Sequence, residues 1–144
     1  MISLFNEVRF LKKIEEEFGN NAGKVWQAIN THGNIDETNL KKITKLDERK
    51  FYSAIGWLAR ENKICKVGKY YRLGETNLTD RIGTNAGKIW GTLNSNNDID
   101  ISSITKITRI QENDAYLAIG WLARESKIEF QKKNKEKQLF YKLK

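Results

Sequence analysis

The sequence predicts a mainly α protein with small β-hairpin wings, an α+β class in which one unit occurs twice in tandem behind an N-terminal helix. Two observations carry this reading. A shift of 64 residues lays Gly19–Ile64 on Gly83–Ile128 without a gap: GNNAGKVW meets GTNAGKIW, NIDETNLKKITKL meets DIDISSITKITRI, and YSAIGWLARENKI meets YLAIGWLARESKI. Within each copy, apolar residues keep helical spacing first and change to a hairpin pattern at the end. Two copies of so long a unit indicate duplicated small domains, not a solenoid.

Each element follows from its residues. Positions 1–17 lie outside the repeat, and Leu4, Val8, Leu11, Ile14 and Phe18 recur at spacings of three and four. That predicts an amphipathic helix, docked on the domains or serving a homodimer by docking on a second chain. Asn21 and Asn85 are placed to cap a first helix in each copy, with Val25, Trp26, Ile29 and Ile89, Trp90, Leu93 on its apolar face. An extended piece at Ile35 or Ile99 precedes a short second helix, Thr38–Thr44 or Ser102–Thr108. A tight turn at Leu46-Asp47 or Ile110-Gln111 then leads into a third helix, Glu48–Asn62 or Glu112–Ser126. ICKVGKYYRL forms a hairpin with Gly68-Lys69 at its tip, and its counterpart IEFQKKNKEKQLFYKL has a longer, lysine-rich tip. The expected divisions are therefore 1–17, 18–73, a linker at 74–82, and 83–144. Three helices, a short strand and a hairpin make a winged helix-turn-helix.

Both copies carry G-K-x-W followed by A-x-G-W-L-A-R-E-x-K-I: Gly23, Lys24, Trp26, Ala54, Gly56 to Glu61, Lys63 and Ile64, then Gly87, Lys88, Trp90, Ala118, Gly120 to Glu125, Lys127 and Ile128. On those residues the chain resembles a small bacterial and archaeal family of winged helix-turn-helix domains. The resemblance covers most of the chain and departs from it at the N-terminal segment and the second wing tip. It implies the fold, and DNA binding as the expected activity.

Composition narrows the function classes. Lys and Arg total 26 against 18 Asp and Glu, a net charge of +8 that favours polyanionic partners, duplex DNA first. No apolar run is long enough for a transmembrane helix, and MISLFNEVRFLKK is too charged for a secretory signal. With one Cys there is no disulfide framework, which fits the cytoplasm and its nucleoid. GNNAGK has three residues between its glycines and Val25 after its Lys, so it departs from the phosphate-binding loop. One His and one Cys cannot supply a zinc site. No nucleophile–base pair is recognisable, and the expectation is a protein without cofactor or catalytic activity.

A helical wheel at about 100° per residue separates two faces of the third helix. Phe51, Tyr52, Ile55, Leu58 and Ala59 fall on the core side; Arg49, Ser53, Gly56, Trp57 and Arg60 fall opposite. The first half of such a helix meets base edges in a helix-turn-helix. That predicts a DNA surface of Lys41, Lys42, Lys45, Arg49, Lys50, Ser53 and Arg60, joined by Lys69 on the first wing. In the second copy it predicts Arg109, Arg124 and the wing lysines Lys132, Lys133, Lys135 and Lys137. The second copy carries Asn113, Asp114 and Leu117 where the first has Arg49, Lys50 and Ser53, so the copies cannot read DNA alike. Gly56, Trp57, Gly120 and Trp121 recur unchanged. A helix-interior Gly costs about 1 kcal/mol against Ala, and burying an aromatic ring returns about 1.5–3 kcal/mol. The Gly-Trp pair is thus expected to pack the two copies together as a pseudo-twofold pair. The alternatives are an outward surface for a protein partner, making the chain an adaptor, or a Trp folded back on its own wing.

Overall fold

The computed structural model describes residues 4–96, 98–132 and 138–144, with side chains described from residue 16 onward and not at Lys132. The first repeat comprises α1 (Leu4–His32), β1 (Ile35–Asp36), α2 (Glu37–Thr44), α3 (Glu48–Arg60), β2 (Ile64–Val67) and β3 (Tyr70–Leu73). The second comprises α4 (Thr79–Ser95), β4 (Ile99–Asp100), α5 (Ile101–Thr108), α6 (Glu112–Arg124), β5 (Ile128–Lys132) and β6 (Leu139–Leu143). Each repeat closes with an antiparallel three-stranded sheet, ordered β1-β3-β2 and β4-β6-β5. The short strand before the second helix pairs with the returning wing strand, Ile35 opposite Tyr71 and Ile99 opposite Tyr141.

Local chemistry sets the boundaries. Asp36 and Asp100 cap α2 and α5 by accepting the backbone N–H of Asn39 and Ser103, and Asp47 caps α3 through Lys50 N–H. Lys45 and Arg109 end the second helices in the left-handed region, at φ 56° and 60°. The N-terminal segment and the first helix of the repeat are one helix, Leu4–His32. Asn21 and Asn85 are therefore interior residues of α1 and α4, not caps as the sequence suggested; Asn21 is buried. The short spacing of apolar residues carries on through Gly19 and Gly23 with no proline to stop it.

Buried residues from both repeats form one core: Val25, Leu40, Phe51, Ile55 and Ile64 in the first, Ile89, Ile104, Ala115, Ile119 and Ile128 in the second. Segment 74–78 is pinned to the first wing. Gly74 N–H donates to Lys63 O, Thr76 N–H to Asn62 Oδ1, and the Asn77 side chain bonds both the N–H and the C=O of Lys66. Among the described residues, no helix is long and apolar enough to cross a membrane.

Candidate nucleic-acid interface

The third helices of the two repeats, α3 and α6, share the most extensive contact in the molecule. A Cβ on Gly56 would lie 1.9 Å from Leu117 O, and one on Gly120 would lie 1.9 Å from Ser53 O. Only glycine permits so close an approach of two backbones. The contact is reciprocal, as a twofold demands, and continues along the helices. Arg60 Nε meets Glu125 at 3.2 Å and Arg124 Nε meets Glu61 at 3.1 Å. Each guanidinium also lies over the other repeat's Trp ring, 5.6 Å from Trp121 and 5.7 Å from Trp57. The middles of the helices thus meet at the glycines and their last turns at the ion pairs, so α3 and α6 run in the same direction. Trp57 rests over Gly19 of its own α1, where a Cβ would sit 3.6 Å from the ring, and Trp121 repeats this on Gly83. Gly56 and Gly120 thus lie in the contact between the repeats, and Trp57 and Trp121, each half-buried, lie beside the arginine of the opposite repeat.

This crossing redistributes the expected DNA surface. Ser53 is only 3% exposed with its carbonyl beneath Gly120, so it cannot reach a base edge, contrary to the sequence expectation. Arg60 and Arg124 remain exposed but are spent on carboxylates of the opposite repeat. Lys41 donates to Tyr52 Oη at 2.9 Å and neighbours Glu37 and Glu48. Lys50 meets Glu17 at 3.3 Å, and in the matching place of the second repeat Asp114 meets Arg81 at 3.0 Å. The Lys50/Asp114 difference is therefore one half of a charge exchange with the first helix of each repeat, Glu17 of α1 against Arg81 of α4. Arg49 is half-buried and lies in the field of Tyr116, whose phenol is pushed up to about 12 by burial and by Glu112. Lys69 is exposed at the first wing tip, its ammonium 5.4 Å from the Tyr70 ring. Lys133, Lys135 and Lys137 lie outside the described residues, as does the side chain of Lys132.

Among the predicted residues, Lys42, Lys45 and Arg109 are exposed and have no carboxylate partner among the described residues. Sequence reasoning passed over Lys106, which matches Lys42 in the repeat. The signal was present: α2 ends in Lys42-Ile43-Thr44-Lys45 and α5 in Lys106-Ile107-Thr108-Arg109. In both segments the Thr hydroxyl donates back to the helix, to Leu40 O and Ile104 O, leaving the basic residues outward. Ile43 and Ile107 are 45% and 53% exposed between them. Because α3 and α6 run parallel, and Lys45 and Arg109 immediately precede their first turns, both segments stand at one end of the molecule.

Among the described residues, no His, Cys, Asp and Glu cluster could hold a metal ion. Comparison with curated proteins and with solved structures gives no match. The winged helix-turn-helix domain (DUF2582) matches twice, at residues 12–72 and 77–141, and the chain belongs to that family as a tandem of two of its domains.

Proposed function

We propose that the protein is a non-enzymatic, duplex DNA-binding protein of the cytoplasm, a transcription regulator or nucleoid-associated factor, that grips phosphates with the paired basic ends of α2 and α5. The observation that carries this reading is the duplicated Lys-Ile-Thr-Lys/Arg segment, exposed at one end of the molecule. Its last residue strengthens the case. A left-handed conformation costs a non-glycine residue about 1–2 kcal/mol, yet both copies place a long cation there, at Lys45 and Arg109. The basic wing tip at Lys133, Lys135 and Lys137 would extend the grip along the backbone.

Reading of bases by α3 and α6 in the usual manner is disfavoured. Twofold helix-turn-helix proteins place their recognition helices about 34 Å apart, in successive major grooves, whereas these two helices touch at Gly56 and Gly120. Side by side they are also too wide for one groove, which is about 12 Å across and admits a single helix. The binding is accordingly backbone-directed and weakly dependent on sequence.

Each lost phosphate contact should flatten the slope of log affinity against log salt by about 0.9. Replacing Lys42, Lys45, Lys106 and Arg109 together by Ala should flatten it by about 3 to 4, whereas Arg60→Ala with Arg124→Ala should change it much less. Absence of binding to generic duplex at about 50 mM salt, or an unchanged slope in the fourfold variant, refutes the reading. The exposed Ile43 and Ile107 favour a second one, a protein adaptor whose partner covers them. In that case Ile43→Ser with Ile107→Ser abolishes partner capture and leaves salt-dependent DNA binding intact.

A further inference from the structure

Where each repeat's first helix meets the other repeat's wing, the pseudo-twofold symmetry fails. On one side Phe18 of α1 stacks on Phe130 of β5, ring centroids 4.6 Å apart. On the other side the matching residues are Ile82 of α4 and Lys66 of β2. The Phe pair leaves a residual space of about 10 Å³ beside Ser53, whereas the Ile82 and Lys66 side opens a cavity of about 210 Å³ between the repeats. The second space, lined by more polar than apolar surface, has room for a small organic molecule, whereas its twin does not.

The lining specifies the ligand's charge. Ile55, Leu78, Ile82 and Leu117 supply the apolar surface, and two carboxylates border it. Glu37 is already engaged on both oxygens, accepting from Tyr52 Oη at 3.1 Å and Tyr71 Oη at 3.0 Å. Asp114 is engaged by Arg81. Lys66 has no carboxylate partner among the described residues; its ammonium lies 5.3 Å from the centroid of the Tyr71 ring. The amide side chains of Gln111 and Asn113 add neutral donors. The lining thus balances two carboxylates against Arg81 and Lys66. Of these four side chains only that of Lys66 is without an ion pair or hydrogen bond among the described residues, which leaves its ammonium available to an incoming anion.

We propose that this inter-repeat cavity binds a small organic anion, a carboxylate carried on a compact apolar body, with Lys66 as its counter-ion. A ligand that binds only the folded chain raises its melting temperature. Benzoate is therefore the probe, with neutral benzamide and cationic benzylamine as charge controls, titrated to millimolar concentration against the full chain. Benzoate should raise Tm by about 3 °C, benzamide by clearly less, and benzylamine not at all. Lys66→Met should remove the advantage of benzoate over benzamide. Ile82→Phe with Lys66→Phe copies the Phe18–Phe130 arrangement into the open side and should abolish both shifts. No benzoate shift in the wild type, equal shifts for all three probes, or an advantage of benzoate over benzamide that survives Lys66→Met overturns the proposal. This outcome is independent of DNA binding, which uses the exposed helix ends.

Discussion

Gly56 and Gly23 are both helix-interior glycines repeated in the second copy, yet their surroundings differ. A Cβ at Gly23 or Gly87 would meet nothing within 4 Å, whereas one at Gly56 would overlap Leu117 O. Helix propensity favours Ala over Gly by about 1 kcal/mol at either place. At Gly23 nothing opposes it, so Gly23→Ala should raise stability by about 0.5–1 kcal/mol in a denaturant titration. At Gly56 the overlapping atom is a backbone oxygen that no rotamer change can move. Overpacking of this kind costs about 1–3 kcal/mol or more, so Gly56→Ala should destabilise despite the better propensity. A gain in midpoint for Gly56→Ala would show that α3 and α6 are not in contact. The Gly-Trp pair was legible as a packing device because the wheel set it opposite the core. The role of Lys50 was not, because its partner Glu17 lies on another helix.

At the scale of the element, the caps connect helix ends to wings. Asp100 accepts Ser103 N–H at the start of α5 and also the side-chain amide of Gln138 beside β6. The Ser103 N–H, first among its causes, holds the Asp100 carboxyl below its ordinary value. A carboxyl depressed in the folded state contributes stability above its unfolded value of about 3.9 and loses it as pH falls through the folded one. Asp100→Ala should therefore cost about 1 kcal/mol at neutral pH. It should also show a smaller drop in stability than wild type as pH falls below about 4, measured by chemical denaturation at each pH. The second and third helices were legible because apolar spacing and the tight turn between them are local signals that both copies repeat. The start of the first was not: Asn-Asn beside Gly resembles a cap, but uninterrupted apolar spacing kept α1 helical across it.

Across the whole molecule, the repeats share one buried core and the linker is bonded to the first wing. Neither half can unfold without exposing the other's α3 or α6 face. Denaturation followed by Trp fluorescence, which reports the inter-repeat face through Trp57 and Trp121, should coincide with far-UV circular dichroism in a single transition. Two resolved transitions would mean that the repeats unfold independently. By itself the sequence determined the repeat, the winged helix-turn-helix units and the two faces of the third helix, because periodicity and capping act within a few residues along the chain. Only the tertiary structure decided that α3 and α6 consume each other's reading faces, that Lys50 and Asp114 belong to exchanged ion pairs, and that Phe18 closes one inter-repeat space while Ile82 leaves the other open. Those outcomes depend on atoms brought together from distant positions, and no local pattern encodes which residue will lie across the gap.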